Sequence, residues 1–164
     1  MLTTQTYIQD VKQNLQKASE KLIQQIRHSV NFQYDERVKV LDYTAFTQVN
    51  ELSIMMYSMD RSANEVFYQG EEKHLFAGSY EVLEDISFYP VSDEELDIFW
   101  EFYGQNDEEL SRMETEVIVA WFIDCWKQAG GQNAKVHSYF SFHDVDKCYD
   151  LHDDKWITDG DKWE

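Results

Sequence analysis

The chain has 164 residues, 43% hydrophobic and 15% aromatic, which is enough to bury a core as a single domain over 1–164 without a disulfide or a metal. Acidic residues number 32 against 14 basic ones, and the formal net charge of −18 excludes a general binder of nucleic acid or anionic membrane, since both ligands are also negative. The longest apolar run, at 117–123, is far short of the roughly 20 residues that a membrane span needs.

The N-terminal segment is polar and amphipathic, and it predicts a helix whose apolar stripe docks on the core. The stripe recurs at three- and four-residue steps: Ile8, Val11, Leu15, Ala18, Leu22 and Ile26. Thr3 or Thr4 is expected to cap the helix. Because the segment has no apolar signal core, we expect a cytoplasmic protein in which Cys125 and Cys148 stay free thiols.

Strand patterns follow in the first half of the chain. The segment 37–46 is rich in β-branched and aromatic residues, 51–60 alternates in polarity, and 65–69 reads as a third strand after a turn at 60–64. The short connections predict an antiparallel meander. The stretch 70–91 is less regular and gives no clear prediction.

Two helices are predicted next. Ser92 followed by Glu95 fits a capping box for the first helix. The second helix begins at Asp107 and ends where Gly130 or Gly131 supplies a left-handed C-cap. The apolar run alone would also suit a strand, but the flanking period and the glycine stop favour a central buried helix.

The last part of the chain predicts a closing hairpin. Alternation over 136–143 indicates a strand, "DVDK" a turn and "CYDLH" the returning strand. The order of the predicted elements is N-terminal amphipathic helix, antiparallel β meander, acidic and buried helices, and C-terminal β hairpin. This order predicts an α+β fold.

The hairpin also contains residue types that bind metals. The candidate ligands for zinc are His137, His143, Cys148 and His152. Their spacing matches no standard zinc motif, and the acidic turn fails as a calcium loop because Tyr149 and Lys155 occupy the positions that require glycine and glutamate. No nucleotide-binding or nucleophile motif occurs, so we expect no enzyme and no cofactor. A metal-binding or small enzymatic site in the hairpin is the alternative hypothesis.

The charge is distributed unevenly. Residues 92–164 hold 19 acids and 6 bases, which favours an acidic face for a basic protein partner, with solubility alone as the competing interpretation. The candidate residues of this face are Asp93, Glu94, Asp97, Glu101, Asp107, Glu108, Glu109, Asp144, Asp146, Asp153, Asp154 and Trp156. Trp156 is either an interface anchor ringed by carboxylates or a side chain packed on the domain edge.

The segments "ELSIMMYSMDRSANEVFYQ" and "NDEELSRMETEVIVAWFIDCWKQAGG" read as strand–turn–strand and acidic helix. Their layout resembles the YezG-like family of small bacterial immunity proteins. The likeness covers most of the chain as an outline and carries no site residues over. It implies an antitoxin that binds and blocks a co-produced toxin, often a nuclease. The charge fits independently, because a nuclease cleft is basic and attracts an acidic protein.

Overall fold

The computed structural model describes residues 1–164, and the predicted α+β class is confirmed. Helices pack on one face of a mixed sheet. The helices are α1 (Thr4–Lys17), α2 (Ser19–Val30) and α3 (Leu96–Gln128). The strands are β1 (Gln33–Tyr34), β2 (Val40–Gln48), β3 (Glu51–Met59), β4 (Leu75–Phe76), β5 (Tyr80–Ser87), β6 (His137–Phe142), β7 (Lys147–Asp150) and β8 (Lys155–Thr158).

The main sheet has the strand order β5-β3-β2-β6-β7-β8, and all neighbours are antiparallel except β2 and β6. A parallel pair cannot be joined by a tight turn, so the chain needs a long crossover between the two strands. The segment that follows β5 supplies it, because α3 runs back across the sheet before β6 begins. The pair β1 and β4 lies apart as a short parallel ladder.

The core lies between the helices and this sheet. Phe122 of α3 stacks on Phe140 of β6, with ring centroids 4.3 Å apart, and also contacts Tyr43 of β2 at 5.4 Å. The predicted N-terminal stripe is buried except for the half-buried Ala18, where the segment divides into α1 and α2. Thr3 caps α1 through a reciprocal bond with Thr6, as predicted. None of the helices is long and apolar enough to cross a membrane.

Two strand predictions need correction. The third strand of the meander is β5 and not 65–69, where Met59 and Glu65 form only an isolated bridge. The sequence of β5 lacks the alternation of apolar and polar residues that marks a strand, because register shifts against β3 place the neighbours Val82 and Leu83 both in the core. The predicted hairpin is confirmed as β6 and β7, but a further strand, β8, extends it.

The two predicted helices form one long helix with a kink. Asn106 has non-helical angles (φ −130°, ψ 17°) and marks the boundary that the sequence placed at Asp107. Ser92 does not cap the backbone, because its hydroxyl donates to the Glu95 carboxylate instead. Gly130 adopts the left-handed conformation (φ 83°) that was predicted for the helix end.

The C-terminal segment closes part of the opposite face of the sheet. Lys162 is 3% exposed, and its Nζ lies 2.6 Å from Asp42 Oδ2 and 2.7 Å from Asp159 Oδ1. Burial lowers the pKa of Lys162, but the two carboxylates outweigh it and leave that pKa above its usual value. Burial raises the pKa of Asp42, and Lys162 offsets this only in part. The ion pair therefore fixes the chain end to a central strand.

Replacing Lys162 with alanine is expected to lower the free energy of unfolding by about 3–5 kcal/mol, because Asp42 would remain buried without a counter-charge. Protonation of Asp42 relieves this cost, so the loss should be smaller at about pH 4 than at about pH 7. Denaturant unfolding at the two pH values measures both effects.

The exposed Lys155 provides the control, and Lys155→Ala should change stability by less than about 0.5 kcal/mol. The double variant Asp42→Asn/Lys162→Met should recover most of the loss. If the double variant is as unstable as Lys162→Ala, the buried charge is not the cause.

Candidate partner-binding surface

The first half of α3 and the turn before it carry exposed carboxylates without ionic partners. All seven predicted residues here are exposed: Asp93, Glu94, Asp97, Glu101, Asp107, Glu108 and Glu109. None of them takes part in an ion pair, and no lysine or arginine occurs between residues 74 and 111. We call these seven residues the acidic arm. Their charges are compensated only by solvent and salt, so the local field is strongly negative.

Helix stabilisation explains part of the acidic arm. Asp93, Glu94 and Asp97 lie at the start of α3, where carboxylates interact favourably with the helix dipole. This effect fades within the first turn, so it does not account for Glu101. Asp107, Glu108 and Glu109 follow the break at Asn106 and lie in the first turn of the second part of α3, where the same effect applies and where Asp107 accepts the Glu108 N–H.

Apolar side chains stand exposed within the acidic arm. Leu96 is 39% exposed and Trp100 is 49% exposed, and their four-residue spacing places them side by side on one flank of α3. One turn further on, Gly104 has no heavy atom within 4 Å of the position that a Cβ would occupy. The helix surface one turn beyond Trp100 is therefore open. A large aromatic side chain framed by polar groups is the usual anchor of a protein interface.

Sequence reasoning missed Leu96 and Trp100. The signal was present in "LDIFWEFY", where Phe99 and Tyr103 share a buried stripe. Trp100 is about 100° away from Phe99 around the helix, so it cannot join that stripe.

A buried carboxylate holds the acidic arm to the body. Glu114 accepts hydrogen bonds from the hydroxyls of Tyr103, at 2.7 Å, and Tyr7, at 2.9 Å. These three residues come from the two sides of the α3 kink and from α1, so one carboxylate joins all three segments. Burial raises the pKa of Glu114 and outweighs the lowering effect of the two tyrosine bonds. Burial and the nearby Glu114 raise the pKa of Tyr103 to about 12.

The raised pKa of Glu114 predicts a pH effect on stability. In the unfolded chain Glu114 loses its proton near the ordinary glutamate pKa of about 4.3, whereas in the folded protein it keeps the proton to higher pH. The contribution of Glu114 to the free energy of unfolding therefore falls as pH rises above about 4.3. Glu114→Gln abolishes the effect. Wild type should therefore lose stability relative to Glu114→Gln as pH rises from about 4 to about 7, measured by urea unfolding at several pH values.

Glu109→Gln, at an exposed glutamate of the same helix, controls for the loss of one negative charge. If the free energy of unfolding of wild type and of Glu114→Gln changed in parallel with pH, or if the difference had the opposite sign, the pKa of Glu114 would not be raised in the folded protein.

The predicted hairpin acids fall into two turns. Asp144 and Asp146 lie in the exposed turn between β6 and β7, whereas Asp153 and Asp154 lie between β7 and β8. The four residues of β7 separate the turns by roughly 13 Å. Asp154 is also partly neutralised, because its Oδ1 lies 3.3 Å from Lys127 Nζ. The hairpin set is therefore not one cluster, and only the first turn lies beside the middle of α3.

Trp156 combines the two roles that the sequence left open. Its ring packs edge-on against Tyr149, with centroids 5.4 Å apart, yet the residue remains 47% exposed. It lines a groove of about 570 Å³ together with Phe142, Val145 and Thr115 of α3. Val145 is itself 50% exposed. This groove borders the first acidic turn.

The predicted set of zinc ligands does not assemble. His137 begins β6 and His143 follows its last residue, so the length of the strand separates them by about 20 Å. Cys148 is buried in a small cluster with Val40 and Tyr139. Of the predicted set, only His137 and His152 come together, and Asp150 joins them, with donor atoms within 4.8 Å of one another.

Hydrogen bonds account for this cluster. Asp150 Oδ1 accepts from His137 Nε2 at 2.8 Å and from the backbone N–H groups of His152 and Asp153 at 3.1 and 3.0 Å. His152 Nδ1 accepts from the Ser138 N–H at 3.1 Å. Burial and the neighbouring His137 lower the pKa of His152, which favours its neutral form. A metal ion would have to displace bonds that hold the turn between β7 and β8, so the geometry favours a structural network.

The two cysteine thiols are free and buried. Burial raises the pKa of Cys125 to about 11 and that of Cys148 to about 12. Both thiols are therefore protonated at neutral pH, and a protonated thiol is a poor nucleophile.

Comparison with protein-family models, curated proteins and solved structures found no match for this chain. The resemblance to the YezG-like family stays a prediction from layout. The candidate site is therefore defined by its own geometry: the acidic arm with Leu96 and Trp100, and the groove beside Trp156.

Proposed function

We propose that this protein is a non-catalytic binding protein that neutralises a basic protein, and that the partner is a co-produced toxin, such as a nuclease. One observation supports this most directly. Seven exposed carboxylates of the acidic arm have no ion-pair partner, and a half-exposed tryptophan, Trp100, lies on the same stretch of α3.

Solubility alone explains this arrangement less well. Outside the acidic arm some exposed acids lie near cations, as in the pairs of Glu84 of β5 with Lys21 and of Glu116 of α3 with Arg112. The acidic arm has no such neighbours, and it exposes apolar area that a solubilising surface would avoid. A binding surface needs both features, because unpaired charge steers the partner and the apolar anchor holds it.

The charge also selects the class of partner. A protein with a net charge of −18 is repelled by nucleic acid and attracted to proteins that bind nucleic acid. Carboxylates placed over a nuclease cleft would occupy the positions of phosphates and exclude the substrate. The resemblance to immunity proteins suggests that the basic partner is a toxin. We propose that the two proteins bind each other in the cytoplasm, where both would be made.

The double variant Asp97→Lys/Glu101→Lys should bind the proposed basic partner, which we would seek first among the products of adjacent genes, at least about 30-fold more weakly than wild type, because like charges placed across an interface cost several kcal/mol. Titration calorimetry at fixed ionic strength measures the change. Both side chains are exposed and unpaired, so the fold should be retained.

The matched control is Glu71→Lys/Glu72→Lys, which makes the same change in net charge at two exposed positions outside the acidic arm. Its affinity should stay within about threefold of wild type, because only long-range steering is altered. If both double variants bound the partner equally weakly, the net charge of the protein and not the acidic arm would determine the affinity. Unchanged binding by both would contradict the proposed interface.

A further inference from the structure

The hydrogen-bond register of β8 shows which of its backbone groups are free. The Asp159 N–H donates to the Asp146 carbonyl at 2.8 Å, and these residues are opposite each other in the continuation of the β7–β8 ladder. Along an antiparallel ladder, pairs of opposed residues that bond to each other alternate with pairs whose N–H and C=O groups point outward. Lys155 and Ile157 therefore bond to β7, and Trp156 and Thr158 turn their N–H and C=O groups away from it.

β8 is the last strand of the sheet, so these outward groups have no strand beside them. No hydrogen bond outside the ladders involves the backbone of Trp156 or the N–H of Thr158, whereas the Thr158 carbonyl begins the 3₁₀ helix Asp159–Trp163 as its N-cap. The opposite edge of the sheet differs, because β5 pairs with β3 through two register shifts. Such irregularity blunts an edge against further pairing, whereas the register of β8 is regular.

The side chains next to this edge suit an incoming chain. Trp156 and Val145 are each about half exposed and line the groove of about 570 Å³ beside α3. A strand that paired with β8 would place alternate side chains on the same side as Trp156, since successive residues of a strand point to opposite faces. One apolar side chain of that strand would cover the Trp156 ring.

The charges near the edge are mainly negative. Carboxylates in the turns at either end of β7 and in the C-terminal segment lie close to β8 in the chain: Asp144, Asp146, Asp153, Asp154, Asp159, Asp161 and Glu164. Lys127 pairs with Asp154, Arg61 donates to the Glu164 carbonyl and the buried Lys162 pairs with Asp159. The remaining exposed cations there are Lys147 and Lys155, and Asp144, Asp146, Asp153 and Asp161 have no lysine or arginine partner. An added strand would therefore be favoured if it carried lysine or arginine and disfavoured if it carried acids.

We propose that the outer edge of β8 receives an extended basic segment of the partner as a seventh strand of the sheet. The backbone N–H and C=O of Trp156 and the N–H of Thr158 would pair with it, the Trp156 ring would hold an apolar side chain, and the neighbouring carboxylates would bind its cationic side chains. This inference rests on the proposed function, because it specifies how a basic partner is recognised.

Thr158→Pro tests the backbone pairing selectively. Thr158 has φ −74° and ψ 143°, which proline adopts without strain, and the preceding Ile157 lies in the strand, as a residue before proline prefers. The substitution removes an outward N–H that β7 does not use, so the sheet should stay intact. Thr158→Val is the matched control, since it keeps the N–H and the strand conformation.

The probe is a capped seven-residue peptide of alternating lysine and valine, titrated into the labelled protein and followed by amide NMR and hydrogen exchange. It should perturb and protect the amides of Trp156 and Thr158. A peptide that alternates lysine with proline has the same charge but cannot pair, and it should bind at least about 10-fold more weakly. The same loss is expected for the valine peptide with Thr158→Pro, and none with Thr158→Val.

The proposal is overturned if the valine peptide does not bind, if it binds Thr158→Pro as tightly as wild type, or if the perturbed amides lie only in the acidic arm. Protection of the Trp156 amide in the protein alone would also overturn it, because a second copy would then occupy the edge. Failure here is distinct from failure of the proposed function, which depends on the response of the whole basic partner to Asp97→Lys/Glu101→Lys.

Discussion

The burial of the second half of α3 against the parallel pair β2 and β6 is the constraint on which the rest of the structure depends. Phe122 stacks on Phe140 and contacts Tyr43, which fixes α3 across the centre of the sheet. Because α3 is also the crossover between β5 and β6, this packing sets the position of its first half. Glu114 then ties that half to α1 through two tyrosines, so the acidic arm projects from a rigid support.

The fold deals with its excess negative charge in two ways. Carboxylates that lie within the body are bound: Asp42 by Lys162, Asp150 by His137 and two backbone N–H groups, and Glu114 by two hydroxyls. The carboxylates of the acidic arm are left without partners. The buried carboxylates have their hydrogen bonds satisfied within the fold, whereas the uncompensated exposed ones create a field that a basic molecule can neutralise. This difference is the physical basis of the proposed binding surface.

Local patterns were enough to predict the helices, the pair β2 and β3, the hairpin β6 and β7 and the glycine stop at Gly130, because each depends on neighbours in the sequence. The parallel pairing of β2 with β6 joins residues about 100 apart, and no local pattern reports it. The residues 65–69 have the composition of a strand, but β5 is the segment that pairs with β3 in the folded protein. The acidic residues of the site could be predicted from the sequence. The exposure of Trp100 and the separation of the histidines depend on how the elements pack, so they are seen only in the structure.

The salt dependence of the complex is the most direct test of recognition through uncompensated carboxylates. The dissociation constant for the proposed basic partner should rise at least about 10-fold between about 50 and 300 mM NaCl, mainly through a slower association rate, because the Debye length shortens over that range. An affinity and an association rate that stay constant across the series would contradict a charge-directed interface.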